Sequence, residues 1–130
     1  MNGLQIFSRD GQLYTDSREV AEMIGKDHAH LMRDITGYIE VLNQSKIGFV
    51  DFFKKSGYKD AKGEERPCYS ITKKGCEFVA NKLTGKKGIT FTAIYVNAFH
   101  DMENKLAGKP TKPKKFSLAS FNHLLEINVR

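Results

Sequence analysis

The sequence predicts an α+β fold: an N-terminal β-hairpin, two helices about a tight turn, a basic β-hairpin and a long C-terminal helix, then a short tail. Three observations predict it. Residues 16–35, DSREVAEMIGKDHAHLMRDI, hold two helical apolar patterns separated by Gly25, Lys26 and Asp27. Two strand-like runs, FVDFFKKSGY and RPCYSI, bracket a turn at Asp60-Ala61-Lys62-Gly63. Phe91, Ile94, Tyr95, Ala98, Phe99, Met102 and Leu106 recur at helical spacing over residues 90–106.

Residues 4–7 and 12–14 are short strand-like runs joined through Ser8, Arg9, Asp10 and Gly11. Asp-Gly accepts the positive φ angles of a tight hairpin turn. Asp16 then starts the first helix, and Glu19, three residues on, completes a capping-box pattern. Val20, Ala21 and Ile24 form one apolar stripe. Gly25 ends the helix, because glycine takes the left-handed conformation without a Cβ penalty. Asp27 is placed to cap a second helix from His28 towards Gln44, with Leu31, Ile35, Tyr38, Ile39 and Leu42 inward. Gly37 costs that helix about 1 kcal/mol relative to alanine. Helix, glycine turn and longer helix make a helix-turn-helix, usually a DNA reader. The same arrangement also closes small cores in proteins that never meet DNA.

In a DNA reader the start of the second helix meets base edges, which selects Lys26, His30 and Arg33. Arg33 leads, because its planar fork pairs with guanine O6 and N7 together. Arg18, in the first helix, joins the candidate contacts. His28 lies in phase with Leu31 and Ile35, so its reading is mixed: a phosphate contact, or an internal hydrogen bond. As metal ligands His28 and His30 are the weaker reading, since residues two apart diverge on a helix.

The second hairpin, residues 49–58 and 66–71, carries Lys54, Lys55, Lys59, Lys62 and Arg66. Pro67 confines its strand to an edge or a strand start. A basic hairpin behind a helix-turn-helix has the form of a wing, whose long cations reach phosphates or the minor groove. The bland alternative is a solvated tip. Thr72 caps a helix over residues 73–83, with Cys76, Val79, Ala80 and Leu83 inward and Phe78 partly so. Lys73 and Lys74 sit at the wrong end of its macrodipole, which costs a few tenths of a kcal/mol and hints at an anionic partner. TGKKG, residues 84–88, reads as a loop; the Walker pattern needs a longer glycine spacing and a preceding strand. The stripe of the last helix exceeds what one core needs and leaves apolar surface for a partner copy.

Charge is unevenly placed. The 130 residues carry a net +6, but residues 1–44 sum to −3, 45–88 to +6, 89–104 to −2 and 105–130 to +5. The helix-turn-helix segment is itself mildly acidic, so a grip on phosphates must come from the middle and the tail. An apolar share of 40% supports one core. Residues 1–107 form that domain, GKPTKPKK (108–115) reads as a linker, and residues 116–130 place Leu118, Phe121, Leu124 and Leu125 as an amphipathic segment. No apolar run approaches the roughly 20 residues of a membrane span, and the N-terminus has no basic-then-apolar leader, so a cytoplasmic chain is expected. Cys68 and Cys76 fit no zinc spacing and read as reduced, buried thiols. No nucleophile set, cofactor fingerprint or metal cluster stands out; neither an enzyme nor a cofactor is expected.

The chain resembles the phage regulatory protein Rha family in three spaced blocks. The first is S-R-E-V-A-E with G-K-x-H and R-D-I, at Ser17 to Glu22, Gly25, Lys26, His28, Leu31 and Arg33 to Ile35. The second is Y-x-x-T-K-K-G-x-E-F-V, at Tyr69, Thr72 to Gly75 and Glu77 to Val79. The third is T-G-K-K with F-x-x-M-E, at Thr84 to Lys87, Phe99, Met102 and Glu103. The resemblance implies a regulator of winged-helix type that binds DNA in the bacterial host cell, related in organisation to phage antirepressor N-terminal domains. Lys26, His28, Arg33, Lys73 and Lys74 stand at the family pattern; the tail departs from it.

The expected function is therefore phage or prophage transcription control through duplex DNA, with a homodimer suited to a palindromic site. The alternative is an antirepressor that grips and inactivates a repressor protein, a reading the acidic helix-turn-helix segment favours. A weaker third reading gives the basic tail alone a nonspecific affinity for nucleic acid.

Overall fold

A computed structural model describes residues 4–108. The expected C-terminal segment, and all of the expected linker beyond Gly108, lie outside the described residues. The elements run β1 (Phe7–Arg9), β2 (Gln12–Asp16), α1 (Ser17–Ile24), α2 (His28–Gln44), β3 (Phe53–Lys59), β4 (Glu65–Ile71), α3 (Lys73–Asn81) and α4 (Gly85–Leu106). The four strands form one antiparallel sheet in the order β1-β2-β4-β3. The α+β class is as expected.

The first hairpin turns where Asp-Gly demands. Asp10 and Gly11 both take positive φ, 53° and 80°, and Arg9 pairs with Gln12 across the two-residue loop. That register starts β1 at Phe7, later than expected, and frees Leu4 and Ile6 to bury in the core ahead of the ladder. In β4, Pro67 pairs with Gly57 of β3. Strand β2 reaches only Ser70 and Ile71, so Pro67 sits where β4 still has an open edge and its missing N–H breaks no ladder.

α1 ends in the expected glycine: Gly25 has φ 70° and ψ 33°. Its N–H donates to Glu22 O at 3.2 Å and Lys26 N–H donates to Ala21 O at 2.9 Å, a Schellman closure that spends two orphan carbonyls. The capping box is only half formed. Asp16 accepts from Arg18 N–H, but Glu19 accepts instead from Gln5 N–H at 2.8 Å, bracing the chain ahead of β1. Asp27 occupies the cap position of α2 without a side-chain capping bond.

Other boundaries also move from their expected places, α3 ending at Asn81 and not at Leu83. Residues 49–52 form a turn, with Phe52 and Phe53 N–H both donating to Phe49 O, so β3 begins only at Phe53. The expected loop at residues 85–88 is instead the first turn of α4, with Thr84 in the cap position. A Cβ on Gly88 would lie 3.2 Å from Leu83 O, so glycine there lets the new helix start close against the end of the previous one.

One core joins all layers. Val20, Ala21 and Ile24 from α1 and Leu31, Ile35 and Ile39 from α2 meet Phe53, Tyr69 and Ile71 of the sheet, Cys76 and Val79 of α3, and Phe91, Tyr95 and Phe99 of α4. Each fully buried large side chain contributes about 1.5–3 kcal/mol through the water it sheds. Phe52, Phe53, Tyr38 and Phe78 stack into an aromatic group that fastens α2 and α3 to the start of β3. Cys68 and Cys76 are buried free thiols, and burial pushes the Cys76 pKa far up, so it stays an unreactive thiol. No described helix is long and apolar enough to cross a membrane.

Candidate nucleic-acid interface

The expected contact residues begin at the junction of β2 and α1, where the sheet hands over to the helices. Ser17 is fully buried there. Its Oγ accepts from Tyr69 N–H of β4 at 3.0 Å and lies 2.9 Å from His28 Nε2 at the start of α2. One hydroxyl thus replaces a missing ladder partner on β4 and anchors the first turn of α2. Nothing in the local pattern singles Ser17 out, because its partners are set by pairings far along the chain.

Tyr58 of β3 is the second tie. The Arg18 guanidinium lies 3.9 Å from its ring centroid, and the His28 ring meets it edge-on at 6.3 Å. Arg18 also grips Asp16 with both Nε (3.0 Å) and NH2 (2.8 Å). Burial acts to raise the Asp16 pKa, but the hydrogen bonds from Arg18 outweigh it and hold the carboxyl below its ordinary value. Arg18 and His28 therefore serve first to fix the β3–β4 hairpin against the starts of α1 and α2. No spacing in the sequence connects Tyr58 to residues 18 and 28.

Burial lowers the His28 pKa from 6.5, with the Arg18 charge adding to the effect and Asp16 opposing it. The sign follows from linkage: below pH 6.5 the unfolded chain binds a proton that the folded chain resists, so stability falls as pH drops from there towards the lower folded value and then levels off. Urea midpoints are expected to decline over that window in the native chain. His28→Gln should remove that component, and an identical decline in the variant would assign it elsewhere.

The remaining candidates divide into paired and unpaired cations. Lys26 folds back to Asp34 at 2.8 Å. At the hairpin tip, Asp60 builds the turn: its Oδ1 accepts from Lys62 and Glu64 N–H, both at 2.9 Å, and its Oδ2 takes Arg66 Nε at 2.9 Å. Arg66 also meets Glu64 at 3.5 Å, Lys59 meets Glu65 at 3.7 Å, and Lys54 meets Asp10 at 3.8 Å. Such exposed pairs contribute little to stability and open readily to a phosphate. By contrast, His30 and Arg33 stand one turn apart on α2, both exposed and without an ion pair among the described residues. Lys55 and Lys62 are exposed on the hairpin.

Lys73 and Lys74 are exposed as well, but at the other end of the hairpin. Thr72 caps α3 by accepting from Gly75 N–H at 3.0 Å, and its hydroxyl donates to Asp51 O at 2.8 Å. This ties α3 to the base of β3, roughly 20 Å along the strand from the tip. The structure thus brings the first residue of α2 against Tyr58, near the tip end of the hairpin, and sets Lys73 and Lys74 at its base. Among the described residues, no three His, Cys, Asp or Glu side chains gather to hold a metal.

The family model of phage regulatory protein Rha matches residues 15–104. This chain belongs to the phage regulatory protein Rha family. Among similar proteins is YoqD of Bacillus subtilis (strain 168), derived from the SPbeta prophage and named a candidate antirepressor. It is 49% identical over 108 residues, 83% of this chain and 43% of that protein. An uncharacterized protein of Haemophilus influenzae (strain Rd) is 27% identical over 95 residues, 73% of this chain and 54% of that one. The chain therefore spans about half the length of the curated relatives it matches. No solved structure matches it. The Rha match encloses α1, its turn, α2, the β3–β4 hairpin, α3 and most of α4.

Proposed function

We propose that this Rha-family chain is a winged helix-turn-helix protein that binds duplex DNA and controls phage or prophage genes in the host cytoplasm, without catalysis or cofactor. The observation that carries the reading is the start of α2, where His30 and Arg33 stand unpaired among the described residues beside a hairpin held by Tyr58. In this reading α2 enters the major groove, with Arg33 and His30 on base edges and Lys26 released from Asp34 to join them. Lys55, Lys59, Lys62 and Arg66 of the wing, with Lys54 behind them, hold phosphates. Arg18 and His28 position the wing, and Lys73 and Lys74 meet more distant phosphate. A homodimer suits a two-fold site.

Selection from a random duplex library by the purified chain at near-physiological salt tests the reading. An enriched motif is expected, and its repeat spacing would give the separation of half-sites. Recovery of random sequence, or none, would refute sequence-specific binding.

A second reading is favoured by one observation: Arg18, Lys26, Lys54, Lys59 and Arg66 all lie near carboxylates, and residues 1–44 sum to −3. A surface so neutralised suits a protein partner, and the relative YoqD carries an antirepressor name. Capture of a phage repressor from lysogen lysate, unaffected by nuclease, would favour this reading over the first.

A further inference from the structure

The cations favoured by the helix-turn-helix pattern are partly spent in ion pairs, which directs attention to those that are not. Between Thr72 and Gly88 stand Lys73, Lys74, Lys82, Lys86 and Lys87 against the single carboxylate of Glu77. Lys86 and Lys87 are exposed and make no ion pair among the described residues. The fold carries this pair to the α1–α2 turn. The ammonium of Lys87 lies 3.9 Å from where a Cβ on Gly25 would stand. Both lysines line a cleft of about 410 Å³ whose other walls are Met23 and Ile24 of α1 and Thr90, Phe91 and Ile94 of α4. Apolar walls of low dielectric strengthen the field of the charges at their rim.

The placement has a scale. The hairpin meets α1 at its start, through Tyr58 and Arg18, whereas Lys87 meets its end at Gly25. Arg18 and Gly25 stand seven residues apart along α1, about 10 Å at 1.5 Å per residue. The major groove that α2 would enter is about 12 Å wide between its phosphate walls. We propose that Lys86 and Lys87 form a second phosphate-binding edge, which grips the DNA backbone on the side of the groove away from the hairpin. The proposal rests on the DNA-binding reading above and adds to it the contact that fixes the angle of α2 from its other flank. It also explains why two lysines occupy the first turn of α4, where the helix dipole disfavours cations.

The test is fluorescence anisotropy of the full chain on a labelled duplex carrying the selected motif, or on random-sequence duplex if none is enriched, across a range of salt. Lys86→Gln with Lys87→Gln is expected to reduce the magnitude of the slope of log affinity against log salt by about 1.8, at about 0.9 per phosphate neutralised. Affinity should fall alike on every sequence, with base preference unchanged. Lys105→Gln, near the far end of α4, should leave the slope as it was. An unchanged slope in the double variant, while Arg33→Ala still alters base preference, would overturn the second edge and leave the DNA-binding reading standing. Absence of duplex affinity in the unaltered chain would overturn both.

Discussion

Gly75→Ala is expected to destabilise the domain by about 2 kcal/mol, read as a lower urea midpoint at unchanged slope. Two effects oppose each other. Alanine in a helix is favoured over glycine by about 1 kcal/mol. Against that, a Cβ at position 75 would clash with the Phe52 carbonyl oxygen and stand 2.8 Å from Ile71 Cγ2. The first of these atoms is backbone, held in place because Thr72 N–H donates to the same oxygen at 3.0 Å. Its relief therefore requires α3 to move off the base of the hairpin, breaking the Thr72 cap and loosening Phe78 from Phe52 and Phe53. The overpacking cost exceeds the propensity gain, so the sign is negative. Gly37→Ala is the matched control: nothing lies within 4 Å of its added Cβ, and the substitution should stabilise by up to about 1 kcal/mol. A Gly75 variant as stable as the native chain would show that the close approach of α3 to residue 52 is not held.

Arg33→Ala should leave the folded domain intact and cost about 1–3 kcal/mol of affinity at one base pair of the preferred site. The first expectation follows from exposure and from the lack of an ion partner among the described residues. The second follows from the guanidinium fork, whose loss removes two hydrogen bonds to one base and leaves phosphate contacts in place. Lys62→Ala, at the hairpin tip, should instead weaken all duplexes alike. The two variants thus separate recognition from grip. A selected motif identical for the native chain and Arg33→Ala would remove α2 from the major groove.

The exposed apolar residues Ile89 and Val96 define a different surface. They line an open groove with Leu83 and Ala93 on the side of α4 turned from the core. The wide stripe read along α4 thus divides: Phe91, Tyr95 and Phe99 are buried, whereas Leu106 is 60% exposed. Periodicity reports that a helix is apolar over a broad arc, and only packing decides which part of the arc is covered.

Much of the architecture was legible because its causes are local. Asp10 and Gly11 specify a two-residue turn, Gly25 a Schellman end and Thr72 a helix start, each through the conformational freedom or hydrogen-bonding reach of one or two residues. The apolar stripes of α1 and α2 likewise follow from side-chain spacing alone. The family was legible too, since its motifs are residues in order and not contacts in space. Tertiary structure decided what those residues do. Ser17 reaches Tyr69 across 52 positions, Thr72 reaches Asp51 across 21, and Arg18 lies against Tyr58. Such partners meet only when strands pair and helices dock, so no window of neighbouring residues contains them. The same holds for charge: a lysine count gives the net field, but whether Lys26 or Lys87 keeps an unspent ammonium depends on which carboxylate the fold brings beside it.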